Sequence, residues 1–316
     1  MHITGVLLLQ QLINGLSKGS VYALIALGYT MVYGIIELIN FAHGDIFMLG
    51  SFTALSVLAF MGVDNKHNFL TDPLAVIGVL LVTFPITMIV TGLLGVVIER
   101  VAYRPLRNAP KLAPLISAIG VSYILQNIGE DWRGPATVNF PAVFQDPGIH
   151  FDLGVNQTLN IQYKSIVLLV VSVVLMILLT LFTQRTKLGK AMRATALDRD
   201  TAQLMGINVN TTIALTFFIG AALAGAGSIL YGMYIRGVQF QIGFQAGLRA
   251  FTAAVLGGIG NIPGAMLGGF LIGLVESYSD TLLDSRWTQA VVFLVLIGIL
   301  VFRPSGLLGQ RVAEKV

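Results

Sequence analysis

Glu37, Asn40, His43 and Asp45 crowd into one short stretch, 34–50, together with Gly34, Gly44 and Gly50, and long apolar runs flank it on both sides. Acids beside a histidine can relay a proton, hold an ammonium group or gate a polar path. At membrane depth such side chains persist only where they face a bundle interior or an aqueous route, and a glycine-broken helix persists only where its freed backbone groups find new partners. The stretch therefore marks either a break in a helical bundle or the mouth of a pathway.

Other chemistry is sparse. The chain has no cysteine, which excludes disulfides, iron–sulfur clusters and thiol nucleophiles. His2, His43, His67 and His150 are dispersed, with no His-x-x-x-His pair, so no metal site is expected. Gly189-Lys190 is followed by Ala191 and lacks the upstream glycine of a phosphate-binding loop. Gly225-Ala226-Gly227-Ser228 reads as small-residue helix packing rather than a nucleophile elbow. No catalytic residue and no bound cofactor are expected in this chain.

The elements that position these residues follow from composition. Of 316 residues, 55% are hydrophobic and 11% charged, and the mean hydropathy is +0.83; soluble domains carry about 25% charged residues. Charge-free runs cover 19–36, 46–63, 73–98, 112–129, 165–184, 201–235, 250–275 and 287–302. Each approaches the ~20 residues that a spanning helix needs. Residues 1–17 add a short helix or lengthen the first one. The run 250–275 is interrupted by 257–264, which includes Asn261 and Pro263, and so should hold two short helices meeting at a break. The expected fold is an all-α polytopic membrane protein with eight to ten transmembrane helices, some short or broken, in a single transmembrane domain spanning 1–316. No basic residue precedes the first apolar segment, so a cleaved leader is not expected.

Orientation comes from the basic residues. Arg100, Arg104, Arg107 and Lys111 share one loop, Arg185, Lys187, Lys190, Arg193 and Arg199 another, and Arg303, Arg311 and Lys315 the tail; these segments are cytoplasmic. The opposite loops carry only Lys66, Arg133, Lys164 and Arg286, with Trp132, Tyr163 and Trp287 as an interfacial belt. This places 130–164 as a long outer segment, the N-terminus outside, and the 34–50 junction toward the cytoplasmic end. The net charge of +4 is an orientation signal, not a nucleic-acid patch. Met48-Leu49-Gly50-Ser51-Phe52 echoes Met266-Leu267-Gly268-Gly269-Phe270, a faint pointer to two related halves.

The loop 186–210 differs from the others. It is polar, rich in helix formers such as Ala191, Ala194, Ala196 and Leu204, and ends at Gly206, a suitable C-cap. A short amphipathic helix lying along the inner membrane surface would serve as a docking element for a cytoplasmic partner, with an ordinary solvated loop carrying some helix as the competing reading.

Residues 19–34, the run Ile39-Asn40-Phe41-Ala42-His43-Gly44-Asp45, Glu99-Arg100-Val101-Ala102-Tyr103-Arg104-Pro105 and residues 251–265 resemble the LivH branch of the branched-chain amino-acid ABC permeases. The resemblance implies a multi-pass subunit of a bacterial inner-membrane importer. It implies as partners a homologous LivM-type permease, two cytoplasmic ATPases that use ATP, and a periplasmic substrate-binding protein. Such permeases dock their ATPases through Glu-Ala-Ala, three residues, then Gly; Asp200-Thr201-Ala202, three residues, then Gly206 is a divergent version. The expected coupling residues are Arg193, Ala196, Asp200, Thr201, Ala202, Met205, Gly206 and Ile207. Asn40, His43, Asp45, Asn261 and Pro263 are the candidates for a translocation path or inner gate, with backbone capping as the competing role. The expected function is alternating-access import of a branched-chain or hydrophobic amino acid. A sister permease for urea, short amides or other amino acids is the nearest alternative, and an ion-coupled transporter relaying protons through Glu37, His43 and Asp45 the next.

Overall fold

Apolar runs fold as helices in lipid because no water is present to satisfy their backbone N–H and C=O groups. A computed structural model describes residues 5–63, 73–110, 112–143, 148–152 and 158–309. The expectations resting on His2, Lys66, His67, Lys111, Arg311 and Lys315 lie outside these residues.

The helices are α1 Gly5–Ile36, α2 His43–Phe60, α3 Pro73–Ile98, α4 Leu112–Arg133, α5 Tyr163–Arg185, α6 Lys187–Leu197, α7 Arg199–Leu204, α8 Val209–Ile235, α9 Ile242–Gly257, α10 Ile262–Leu282 and α11 Ser285–Phe302. Among the described residues, seven are long and apolar enough to cross a membrane, counting α3 with the π- and 3₁₀-turns that prolong it to Leu106. The N-terminal apolar run does not form a helix of its own; its described part, from Gly5, is the first part of α1, which is 32 residues long. The run 201–235 does not span as a unit either. Its first part is the short helix α7, and the membrane helix starts at Val209, where the Asn208 side chain caps it by accepting from Thr211 N. As expected, the Gly257–Gly264 break separates two helices.

Among the described residues, two small antiparallel ladders lie in or against the segment 130–164: β1 Val138–Asn139 pairs with β4 Gly237–Val238, and β2 Ile149–Asp152 with β3 Thr158–Ile161.

The core is α1, α2 and α8, buried over most of their length, while α3, α4, α5 and α11 turn aliphatic faces outward. α1 and α8 cross antiparallel, Gly28 beside Gly220 and Leu24 beside Gly227. α1 packs along α10 as α8 packs along α3; α2 lies on α8 as α9 lies on α1; α2 touches α4 as α9 touches α11. The pattern pairs α1 with α8, α2 with α9, α3 with α10 and α4 with α11, in inverted orientation.

The sequence carries the same pairing once the structure shows where to look. Tyr33-Gly34 matches Tyr231-Gly232, the positive-φ residues Glu37 and Arg236 each follow directly on a helix end, and Phe41, Gly44, Leu49 and Phe52 match Phe240, Gly243, Leu248 and Phe251. The echo of 48–52 in 266–270 is a different alignment, joining α2 to α10, which the packing does not pair.

Candidate functional site

The polar junction is a re-entrant turn. α1 ends at Ile36, Glu37 takes φ +55 and is exposed, and the chain then folds back into the bundle before α2 starts at His43. A Cβ on Gly28 would meet the His43 ring at 2.4 Å, which fixes His43 beside Gly28. From Gly28 to Ile36 helix α1 rises about 12 Å, at ~1.5 Å per residue. The first turn of α2 therefore sits deep in the bilayer. The 34–50 junction does not lie at one level: Glu37 and Leu38 stand at the end of α1, whereas six residues of non-helical chain carry the backbone back into the bundle to His43 and Asp45.

The symmetry-related helix does the same from the other side. α9 starts at Ile242, and its Gly243 meets Gly44: a Cβ on Gly44 would lie 2.2 Å from Gly243 O, and one on Gly243 2.7 Å from Gly44 O. Two helix N-termini thus converge inside the membrane, and their dipoles present partial positive charge at one place. Asp45 occupies it. Its carboxylate lies against Gly243, accepts from Ser122 Oγ at 2.5 Å, and Ser122 Oγ in turn accepts from Gln126 Nε2 at 3.2 Å. An acid that is costly in lipid is placed where two helix N-termini meet and bonded by one hydroxyl, its Oδ1 lying without a hydrogen-bond partner among the described residues. His43 stacks edge-on against Tyr29 with centroids 4.6 Å apart. Asn40, also buried, accepts from Tyr103 OH at 3.2 Å and gives its backbone carbonyl to His43 N.

Asn261 and Pro263 occupy the other break. Asn261 Oδ1 accepts from Gly264 N at 2.9 Å and so caps α10, Pro263 stands in its first turn, and Asn261 Nδ2 donates to Leu308 O at 2.8 Å. Gly260 lies beside Gly34, which puts this break at the same end as the α1 terminus. Asn261 is a backbone cap. Asn40 and Asp45 are instead bonded to side chains, Tyr103 and Ser122.

The loop 186–210 contains two helices rather than one. α6 ends at Leu197, and Asp198 caps α7 by accepting from Asp200 N and Thr201 N. Gly206 has φ +82, the left-handed geometry of a helix terminus. Arg193, Ala196, Asp200, Thr201, Met205 and Gly206 are exposed, Ile207 is half-buried, and Ala202 is buried beneath α7. Leu197, Leu204 and Met205 are 85%, 88% and 79% exposed, an apolar surface that water does not favour. A groove of about 640 Å³ runs beside them, lined by Arg104, Arg107, Arg199, Asp200, Gln203 and Gly206.

This loop is fastened to the bundle. Arg199 donates to the Ile35 carbonyl at 2.9 Å, a cation at the C-terminus of α1. Arg107 donates to Asn210 Oδ1 at 2.7 Å and is ion-paired with Glu99, a fully buried acid that also holds Arg104 at 3.2 Å.

A second polar group lies nearer the N-terminal half of α1, away from its C-terminus, and was missed by the sequence reading. Lys18 pairs with Asp280 at 2.7 Å and Glu276 at 3.6 Å; Arg249 Nε pairs with Glu276 at 3.1 Å; Tyr22 OH donates to Glu276 at 2.8 Å. Because these charges bound the apolar runs, they registered as ends of spans. The signal that finds them is their number within helices that lie wholly in the bundle.

A bundle of spanning helices with an inverted pair of re-entrant helix starts and a bolted inner loop defines a membrane transport subunit. The branched-chain amino acid transport system / permease component family matches residues 11–300, and the chain belongs to it. It is similar to the high-affinity branched-chain amino acid transport system permease protein BraD of Pseudomonas aeruginosa, 48% identical over 98% of both chains. It is also similar to LivH of Escherichia coli K12, 43% identical over 98% of this chain and 97% of that one. An archaeal relative, the probable permease LivH of Methanocaldococcus jannaschii, is 27% identical over 90% of this chain. No solved structure matches the chain. It is a multi-pass protein of the bacterial inner membrane.

Proposed function

We propose that this chain is one transmembrane subunit of an ATP-driven importer for branched-chain amino acids, working by alternating access. The observation that carries the reading is similarity along almost the whole length to permeases named for that transport, BraD and LivH. In this reading a homologous LivM-type permease completes the path, two ATPases bind the inner face and hydrolyse ATP, and a periplasmic binding protein delivers the substrate. This chain contributes neither cofactor nor catalytic group.

The coupling surface is 193–207. Exposed Leu197, Leu204 and Met205 would be buried by the ATPase, each worth about 1.5–3 kcal/mol, and Asp200, Thr201 and Gly206 shape the contact around them. ATPase closure pushes on α6 and α7. Arg199 passes that displacement to the end of α1, whose continuation is the re-entrant turn through Asn40 to Asp45. Rotation of α1 against α8 then opens or closes the bundle where α2 and α9 meet, so that Asn40, His43 and Asp45 act as the hinge of an inner gate and Asn261 with Pro263 as its second pivot.

The test is uptake by the assembled importer with competing unlabelled leucine, urea, short amides and neutral amino acids. Competition by leucine, isoleucine and valine supports the reading. Competition by urea or amides alone favours a sister permease.

A further inference from the structure

The outward faces of α3 and α11 are aliphatic, with Leu81, Ile89, Leu294 and Ile297 exposed, a surface that lipid covers without penalty. α9 is different. It begins at the level of Gly44, inside the membrane, yet it turns Gln241 and Gln245 outward and leaves the Arg249 side chain 25% exposed. These three follow one another at a spacing of four, so they form one stripe on the helix. Glutamine and arginine facing hydrocarbon would be strongly unfavourable; such residues mark water-filled or substrate paths.

The stripe opens onto a cavity of about 120 Å³ whose walls include Lys18, Tyr22, Tyr231, Gln245, Arg249 and Glu276. The charges there are of both signs and are interlocked: Glu276 receives Arg249, Lys18 and the Tyr22 hydroxyl. On the inner side of the same helix lies a narrow crevice between Tyr29, Ile39, Phe41, Phe244, Leu248 and Phe251, almost wholly apolar. Phe244 and Leu248, which line this crevice, directly precede Gln245 and Arg249 of the polar cavity in the chain.

We infer that this face of α9 is a transit subsite for an amino-acid zwitterion. The Arg249 guanidinium meets the carboxylate and Glu276 the ammonium, while the aliphatic side chain lies along Phe244 and Leu248 toward the apolar crevice. A guanidinium fork suits a carboxylate, and a dipolar ligand swaps into an ion-pair network without adding net charge. Because Arg249 and Glu276 neutralise each other when the subsite is empty, the ligand is held weakly and released. The inference rests on the amino-acid importer reading above, and it moves the substrate contacts from the Asp45 junction to α9.

The absence of native cysteine permits a direct test. In the complete importer reconstituted in proteoliposomes, Gln245→Cys and Phe244→Cys should react with a membrane-impermeant thiosulfonate reagent, and leucine with its binding protein should slow the reaction. Leu294→Cys, on the lipid face, should not react. Arg249→Gln should lower leucine uptake at least tenfold while binding-protein-stimulated ATP hydrolysis persists, and Arg249→Lys should recover part of the loss. Unreactive thiols at both positions would show that a subunit interface covers this face and would overturn the subsite. Normal uptake by Arg249→Gln would overturn it too. If Arg249→Gln does not assemble, the thiol pattern alone decides. A wild-type importer that takes up no leucine contradicts the importer reading itself, whereas thiol reactivity does not depend on which substrate is carried.

Discussion

Arg199, the first residue of α7, donates to the backbone carbonyl of Ile35, in the last turn of α1, at 2.9 Å. It joins the surface proposed to receive the ATPase to the helix that leads into the re-entrant turn. Charged hydrogen bonds of this kind contribute about 1.5–3 kcal/mol. Arg199→Ala should leave the subunit in the membrane and partner assembly intact, yet reduce uptake per ATP hydrolysed severalfold, measured as the ratio of leucine import to phosphate release. An unchanged ratio would remove this link from the mechanism.

Gly206 is exposed, with φ +82 and open space where a Cβ would stand. A β-branched residue there carries a left-handed penalty of about 1–2 kcal/mol and projects into the docking surface. Gly206→Val should uncouple ATP hydrolysis from uptake while assembly partly survives. Normal uptake by this variant would count against the docking assignment.

Gly44 and Gly243 make mutual backbone contact where α2 and α9 begin. Gly44→Val forces the two helix starts apart, and overpacking of this kind costs about 1–3 kcal/mol or more. The expected result is a lower melting temperature in detergent and little functional protein. Gly78→Ala and Gly298→Ala, where nothing lies within 4 Å of the added carbon, should behave as wild type. Equal melting temperatures for all three variants would contradict the packing.

Asp45 lies at two converging helix N-termini and bonds Ser122. Asp45→Asn keeps a side chain that can still accept from Ser122 but loses the charge the helix dipoles favour, an effect of about 0.3–2 kcal/mol. Asp45→Leu loses both. Membrane levels should fall in the order wild type, Asn, Leu, and Asn40→Leu and His43→Leu should each impair transport. If Asn40→Leu and His43→Leu leave both transport and expression untouched, these residues have no part in the gate.

Much of this was legible in the sequence. Charge-free runs located the helices, and Gly206 and Asn261 declared themselves as caps because capping is local chemistry. Depth was not legible: nothing between Ile36 and His43 says that the chain turns back inward, since that depends on Gly28 and Gly220 allowing α1, α8 and α2 to close together. The repeat was obscured because its matching residues, Phe41 with Phe240 and Gly44 with Gly243, lie in stretches of opposite polarity. Lys18, Arg249 and Glu276 are far apart in the chain and meet only through the packing of α1, α9 and α10.

As proposed, this chain transports only as part of an ATP-driven complex. The direct measurement is leucine uptake into proteoliposomes holding this chain alone or with its permease and ATPase partners, with and without ATP, and with an imposed proton gradient. The account predicts uptake only for the complete complex supplied with ATP and binding protein. Uptake by this chain alone, driven by the proton gradient without ATP, would contradict it.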